Sequence, residues 1–417
     1  IRSLGRELDA ARYQRRTLHH AVEEVKGNIR VLVRMRPLQS SDLAAPRHAV
    51  RVEEGSLEVD DQRNTVAVVS PASGTQSFEY YRVYAPPGED TRDAAAEQQR
   101  YVFVEQVQPV LQSLFDGVNV SVLAYGQTGS GKTYTIFGQG AADDPAQQHA
   151  STPHSLHRPP SVASPLVLDG LLPQSIEHVF AMKREFESTE ALKASPEGGP
   201  DPAVGVALRL SMVEVYMSDV YDLLNPVDPA TAPAPRMTTG GAASSTTLAS
   251  SGTRCEVRAV PTGGAVVVGA TELGIDSEAA AMDAVARGFA ARKTHRTLTN
   301  PRSSRSHLLL TVFVDVTARH ARGGGVVHRS SRMMFVDLAG SERVHKSLSS
   351  GDRLKEAQHI NRSLSALGDV LAALTSTKKR SNAASHVPYR NSKLTHLLQP
   401  CIGGESKTLM VACICPH

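Results

Sequence analysis

The stretch that most constrains this chain runs from Val118 to Gly138, VNVSVLAYGQTGSGKTYTIFG. Its first half, Val118 to Tyr125, is apolar and rich in β-formers, which predicts a strand buried on both faces. Gly126-Gln127-Thr128-Gly129-Ser130-Gly131-Lys132-Thr133 follows at once and fills the pattern G-x-x-x-x-G-K-[ST]. The chemistry explains the spacing. Gly126, Gly129 and Gly131 allow a tight turn whose successive N–H groups face phosphate oxygens. Lys132 supplies a cation to the β and γ phosphates, and Thr133 opens a helix with its hydroxyl turned to Mg²⁺. A glycine turn that binds nothing is the plain alternative. The strand ahead of it and the complete motif favour a site for a nucleoside triphosphate.

What the nucleotide is used for must come from the rest of the chain. At 417 residues the length allows two or three domains. With 41% apolar and 21% charged residues, the composition suits a chain that buries a large core. The formal net charge of +3 is too small to ask for a polyanionic partner, so no nucleic acid is expected. No run of about 18 apolar residues occurs and the N-terminus does not read as a signal peptide, so no membrane insertion is expected. A start at Ile1 rather than Met reads as a fragment. Cys255, Cys401, Cys413 and Cys415 have no metal-ligand spacing, and Cys413 and Cys415 alternate on an apolar strand as core thiols, in keeping with a reducing cytosol.

In chain order, residues 1–27 read as a helix. Leu4, Leu8, Ala11, Arg15, Leu18, Val22 and Val25 make a heptad seam of about three and a half repeats, weakened in the middle by Ala11 and Arg15. A coiled coil continuing upstream is the favoured reading; a surface helix folded on its own domain is the other. Gly27 ends the helix, and Asn28 to Pro37 reads as a first strand. Short strands are expected at His48 to Val52, Leu57 to Val59 and Thr65 to Val69, then a helix over 92–116 with Val104, Val107, Leu111 and Leu114 on one face. After the glycine loop, 139–165 and 226–253 are low-complexity stretches, read as flexible insertions hung on a single domain. Between and beyond them we expect a helix at Leu171 to Glu187 and strands at Ala207 to Tyr216 and Val220 to Leu224. A helix at 277–294 and strands at Leu308 to Val316 and Met333 to Leu338 come next. A helix at 352–375 carries the stripe Ile360, Leu364, Leu367, Leu371 and Leu374; a helix at 391–399 and a strand at Thr408 to Ile414 close the chain. This alternation predicts an α/β fold with a doubly wound sheet.

Two further segments carry phosphate chemistry. Phe335-Val336-Asp337-Leu338-Ala339-Gly340-Ser341-Glu342 ends an apolar strand in an acid suited to Mg²⁺, and Gly340 can offer its N–H to a γ-phosphate. Asn300-Pro301-Arg302-Ser303-Ser304-Arg305-Ser306-His307 packs hydroxyls, a guanidinium and an imidazole into eight residues, more than a solvated turn requires. Taken in order, GQTGSGKT, NPRSSRSH and DLAGSE resemble the phosphate loop, switch I and switch II of the kinesin motor domain. Arg34-Met35-Arg36-Pro37, LKEAQHINRSLSALGDVL (354–371) and HVPYRNSKLTHLLQ (386–399) extend the likeness over residues 28–417.

The resemblance implies a P-loop fold with a central, mostly parallel eight-stranded sheet, helices on both faces, and a coiled-coil neck at 1–27. It implies a microtubule-stimulated ATPase using Mg²⁺, working on microtubules of the cytoplasm and spindle. By the same resemblance Arg34 and Pro37 flank the adenine while Gln127, Thr128, Gly129, Ser130, Gly131, Lys132 and Thr133 hold the phosphates. Thr133 and Ser304 ligate Mg²⁺, with Asp337 acting through water, and Gly340 senses the γ-phosphate. Arg305 and Glu342 form a salt bridge, with Glu342 the acceptor of the lytic water's proton. Pro301, where the family usually has Glu, and Arg292-Lys-Thr-His-Arg296, which lacks a usual Asn, are departures that touch no catalytic position.

Basic residues Arg343, Lys346, Arg353, Lys355, Lys378, Lys379, Arg380, Arg390 and Lys393 gather around the helix at 352–375 and offer a salt-sensitive face to acidic tubulin. The run of Leu18 to Arg30 from heptad helix straight into the first strand is similar to the neck of C-terminal-motor, minus-end-directed kinesins. It implies a homodimer paired through the neck and upstream coil. No neck linker follows the last strand before His417. The rival reading is a non-motile, microtubule-binding regulator with an impaired ATPase; a nucleic-acid-dependent ATPase stands further off.

Overall fold

The computed structural model of the chain describes residues 2–37, 56–70, 74–86, 92–138, 169–193, 204–226, 252–260, 264–293, 304–319, 325–342, 352–375 and 386–415. The strands are β1 (Ile29–Met35), β2 (Ser56–Asp60), β3 (Thr65–Ser70), β4 (Gly74–Glu79), β5 (Arg82–Tyr84), β6 (Val120–Tyr125) and β7 (Gly205–Tyr216). They continue with β8 (Asp219–Pro226), β9 (Gly252–Ala259), β10 (Ala265–Val268), β11 (Leu273–Gly274), β12 (His307–Arg319), β13 (Val326–Asp337) and β14 (Lys407–Ile414). The helices are α1 (Arg2–Val25), α2 (Arg92–Val102), α3 (Gln108–Leu111), α4 (Lys132–Phe137), α5 (Leu171–Lys193), α6 (Glu278–Lys293), α7 (Asp352–Thr375) and α8 (Lys393–Leu398).

The apolar run ahead of the glycine loop becomes β6, buried along its length between β13 and β14 and parallel to both. It lies inside an 11-stranded sheet of order β10–β9–β8–β7–β12–β13–β6–β14–β1–β5, with β11 beside β7. From β13 to β5 the pairing is parallel; from β13 outward to β10 it is antiparallel. The sheet is thus mixed, with more strands than the eight expected. β2, β3 and β4 make a separate antiparallel meander.

Strand alternation sorts the core into two layers. Val122, Ala124, Leu308, Leu310, Met333 and Phe335 enter one apolar cluster, packed under α4, α5 and α6. Leu123, Leu309, Met334 and Val336 enter the other, under α7 and α8. Helices therefore cover both faces, as expected. Leu367 of the predicted α7 stripe is buried there, with Leu364, Leu371 and Leu374 packed against it.

The expected stripe over 92–116 needs one correction. Val107, Leu111 and Leu114 are buried, but Val104 is 51% exposed. A π turn at Phe103–Val107, closed by Gln108 N–H donating to Phe103 O, widens the helix there. The wider turn rotates Val104 outward, and Phe103 takes its place inside.

Helices α4 and α5 meet end to start where Gly138 and Gly170 pack backbone to backbone. A Cβ on either glycine would collide with the other's main chain, so no other residue fits this contact. The first low-complexity stretch lies between them, outside the described residues. The second is narrower than expected, because Pro226 and Gly252 pair as ends of β8 and β9. The strand expected at His48 to Val52 also falls outside the described residues.

α1 confirms a helix at the start of the chain, ended by Gly27 at φ +83°. One stripe faces the core. Arg16 Nε and His20 Nε2 each lie 3.2 Å from the Asp116 carboxylate, and His19 Nε2 lies 3.2 Å from Ser113 Oγ. Glu23 is buried against Arg30. The seam residues Leu18, Val22 and Val25 point the other way, into solvent. Among the described residues, no helix is long and apolar enough to cross a membrane.

Candidate functional site

The site is built at the carboxyl ends of β6 and β13 and the start of β12, where the parallel half of the sheet meets the antiparallel half. At Gly126 the chain leaves β6 with φ +152° and passes so close to Cys413 O that a Cβ would collide with it. Gly129 and Gly131 both hold positive φ, and Gly131 hands over directly to α4. Lys132 is buried, its ammonium donating to Gly126 O at 2.9 Å and Gln127 O at 2.8 Å. Burial lowers its pKa, opposed by the negative charge of Asp337.

Asp337 ends β13 beside Thr133. The threonine hydroxyl donates to Asp337 Oδ2 at 2.7 Å, and Arg292 Nη1 stands 3.6 Å from the same oxygen. Asp337 Oδ1 is buried with no hydrogen-bond partner. A buried carboxylate oxygen left unmatched next to a hydroxyl is the hard-oxygen donor set that Mg²⁺ takes, so these residues fit the ion. Among the described residues no cluster of three or more His, Cys, Asp or Glu could hold a metal.

Arg292 comes from α6 and joins the expected segments to the sheet. Its Nε lies 3.3 Å from Glu214 Oε1, and its Nη2 donates to Ser306 O and Oγ at 3.2 Å. Ser306 Oγ donates to Glu214 Oε1 at 2.6 Å. A lone acid in the apolar run Met212-Val-Glu214-Val-Tyr216 marks Glu214 as a buried charge in need of a partner, without saying which.

The two switch-like segments touch through the backbone, Gly340 N–H donating to Ser304 O at 2.8 Å. Arg305 and Glu342 are not paired. Glu342 accepts from Thr128 N–H at 2.9 Å and Thr128 Oγ1 at 2.5 Å, while Arg305 Nη1 reaches Glu356 Oε2 on α7 at 2.7 Å. Each charge has found a partner nearer to hand, which corrects the expected bridge for this conformation. Burial raises the Glu342 pKa, but the two Thr128 donors, a backbone N–H of Glu342 itself and the charge of Lys132 together hold the carboxyl below its ordinary value. Gly340 sits beneath this clasp, where a Cβ would strike the Glu342 carboxylate and the Thr128 hydroxyl.

Arg34 is buried, with Nε donating to Gln98 Oε1 and Nη1 to Thr135 Oγ1, each at 3.0 Å; Gln99 also accepts from Nη1. Its guanidinium lies 5.2 Å from the Tyr134 ring centroid. It braces α2 against α4 rather than standing open to a base. The adjoining Arg36, which sequence reasoning quoted without a role, reaches the loop, with Nε donating to Gly129 O at 2.7 Å and Nη1 to Pro37 O at 2.9 Å.

Of the basic residues expected at the track, Lys355 and Arg390 are exposed on the sheet face carrying α7 and α8. Lys393 on the same face lies 3.9 Å from Asp219. Arg343, Lys346, Lys378, Lys379 and Arg380, and the side chain of Arg353, fall outside the described residues.

The chain matches the family model "Kinesin motor domain" over residues 34–417. It is 33% identical to the kinesin-like protein KIF25 of Macaca fascicularis over 97% of this chain and 66% of that protein. It is 34% identical to the kinesin-like protein KIN-14Q of Oryza sativa subsp. japonica, over 97% of this chain and 34% of that protein. The chain thus spans less than two thirds of these relatives' length. Among solved structures it resembles the C-terminal motor and motor homology domain of Kar3Vik1 fused to a synthetic heterodimeric coiled coil. That match has a TM-score of 0.66 and 28% identity, covering 100% of this chain and 87% of that one. The motor domain of Kar3, a Saccharomyces cerevisiae kinesin-related protein, matches with TM-score 0.61 and 26% identity over 94% of each chain. With the glycine loop and the two later segments meeting at one place and the family model spanning nearly the whole chain, this protein belongs to the kinesin family as one of its motor domains.

Proposed function

We propose that this motor domain hydrolyses Mg·ATP in a microtubule-stimulated cycle and drives movement toward the microtubule minus end. The observation that carries the reading is the convergence of Lys132, Thr133, Asp337 and the Gly340–Ser304 contact on one spot. Thr133 and Asp337, with Ser304 from the neighbouring segment, would hold Mg²⁺, which would supply neutralisation of phosphate charge. Lys132, which now donates to its own loop carbonyls, turns its ammonium to the phosphates. Gly340 exchanges Ser304 O for a phosphate oxygen. Glu342 then leaves Thr128 for Arg305, and its carboxylate accepts the proton of the attacking water through a second water. The work is positioning and electrostatics, with no covalent step on the protein.

Direction rests on α1, whose base runs through Gly27 into β1. We take α1 as the neck, paired with a second copy through Leu18, Val22 and Val25, and working on microtubules of the cytoskeleton. Kar3Vik1, named as a C-terminal motor, matches along the full chain. The rival, a regulator that binds microtubules without cycling, has less support, since Lys132, Thr133, Ser304, Arg305, Asp337 and Glu342 all stand intact. Phosphate release with and without microtubules, followed by gliding of polarity-marked microtubules over protein tethered through residue 1, tests both parts. Stimulated release and plus ends leading are expected. Release indifferent to microtubules refutes the motor reading, and minus ends leading refutes the direction alone.

A further inference from the structure

Between Asp9 and Glu23 the chain carries no acid, while Arg12, Arg15, Arg16, His19 and His20 crowd into the same stretch of α1. Thr17 sits among them, with Arg15 two places before it, Arg16 one place before it and Leu18 just after. Its side chain is exposed. The hydroxyl donates to Tyr13 O at 2.9 Å, a bond inside the helix that leaves the oxygen at the surface.

The place of Thr17 on the helix matters as much as its neighbours in sequence. The seam takes Leu18, Val22 and Val25, and the docking stripe takes Arg16, His19, His20 and Glu23. With 3.6 residues to a turn, Thr17 falls on the flank between the two, one turn before His20. His20 Nε2 and Arg16 Nε share the Asp116 carboxylate, each at 3.2 Å. Arg329 stands close enough to feel the charges of both Arg16 and Asp116. An anion added at Thr17 therefore lands beside the contact that holds α1 down and clear of the seam that would pair it.

We propose that Thr17 is a phosphorylation site for an arginine-directed protein kinase, and that its phosphate releases α1 from Asp116. An acidic substrate groove pairs with Arg15 and with Arg12 upstream, while Leu18 enters an apolar pocket beyond the hydroxyl. In the transfer, Thr17 Oγ1 bonds to the γ-phosphorus of ATP as the bond to the β-phosphate oxygen breaks. ADP leaves, and the hydroxyl proton passes to the kinase's catalytic carboxylate. The product adds a charge of about −1.5 to −2 at neutral pH. It repels Asp116 and offers His20 an anion on its own helix. The kinase reaches an extended substrate here because docking is through partly exposed ion pairs and a free helix is marginal in water. Release opens Thr17 to the kinase, and phosphate in turn favours release.

The test uses the full chain, Mg·ATP and a kinase catalytic domain that reads arginine two places before the hydroxyl and an aliphatic residue after it. Peptide mass spectrometry should find phosphate on Thr17. Arg15→Gln, which leaves the docking stripe intact, should slow that modification about tenfold, and Asp116→Asn should speed it. Amide exchange over 10–25 reads the consequence. The phosphorylated chain should exchange there about as fast as unphosphorylated Asp116→Asn, and phosphate on Asp116→Asn should add less than about twofold. Thr17 left unmodified, a rate indifferent to Arg15→Gln, or a phosphorylated α1 as protected as before overturns the proposal. A large further acceleration in phosphorylated Asp116→Asn would mean that phosphate melts the helix by itself, and overturns release from Asp116.

Discussion

Glu342 holds two donors of Thr128, yet the chemistry proposed for it needs the carboxylate elsewhere. Removing it should leave phosphate binding to Lys132 and the loop amides largely intact. Glu342→Ala should therefore bind ATP near normally and lose turnover by at least about 100-fold. Turnover within about threefold of the unmodified chain would remove Glu342 from the mechanism. His307 gives a second residue-scale expectation, this time in pH. Burial, with Arg292 and Lys132 nearby, lowers its pKa from 6.5 to about 3. Below 6.5 the unfolded chain takes up a proton that the folded ring refuses, so stability is full above that pH and falls as pH drops toward 3. His19, His178 and His396 are also lowered by burial and share the window. The measure is thus the difference: between pH 7 and 5 the melting temperature should fall further in the unmodified chain than in His307→Asn. Equal falls would show that the ring does not carry this dependence. The sequence named the segments that come together at the candidate site, because glycine, lysine and hydroxyl spacings are local chemistry. It was silent on Arg292 with Glu214 and on Thr128 as partner of Glu342. Each of those contacts joins segments far apart in the chain, and no spacing encodes them.

Elements were most legible where one periodicity ran unbroken. The range 352–375 was read correctly for α7, and β6 and β14 stand within a residue or two of expectation. β4, β9 and β10 escaped because they lie at sheet edges or carry polar residues on exposed faces, where burial imposes little pattern; β4 is exposed throughout. Val104 misled because a π turn breaks the period on which the stripe was counted. α1 displays both kinds of information at once. Its seam was written in heptads, whereas the stripe of Arg16, His19, His20 and Glu23 is recognisable only against Asp116, Ser113 and Arg30. Docking through partly exposed ion pairs is weak, on the order of 1 kcal/mol or less per pair. Asp116→Asn should therefore speed amide exchange in α1 without shifting the global melting temperature. Unchanged exchange would mean that the helix is held by its root alone. With docking on one side and an exposed seam on the other, pairing of this short coil should be marginal, and sedimentation should find monomer or weak dimer until upstream coil is restored.

At the scale of the whole molecule, the sheet divides labour. Its parallel half gathers the turns of the candidate site, and its antiparallel half contains the two long strands β12 and β13, which lie between the helix layers of α6 and α7. The contact of Gly138 with Gly170 sets a further consequence. The chain is described up to Gly138 and again from Asp169, and there main chain lies against main chain, so the two described ends that flank residues 139–168 are held together by packing that belongs to α4 and α5. For a segment tied this way, added length costs little: each doubling raises the closure entropy by only about 0.6 kcal/mol. The domain thus has a port at which sequence can be gained, lost or exchanged while the nucleotide site, one short helix away, keeps its shape. Replacing 139–168 with a short glycine–serine bridge should leave ATP affinity unchanged and move stability by no more than about 1 kcal/mol. A collapse of either would show that the segment is woven into the domain and that the gap is a seam under tension. Substituting alanine at Gly170 should do what the deletion does not, wedging α4 from α5, disturbing the helix that Lys132 begins and lowering ATP affinity.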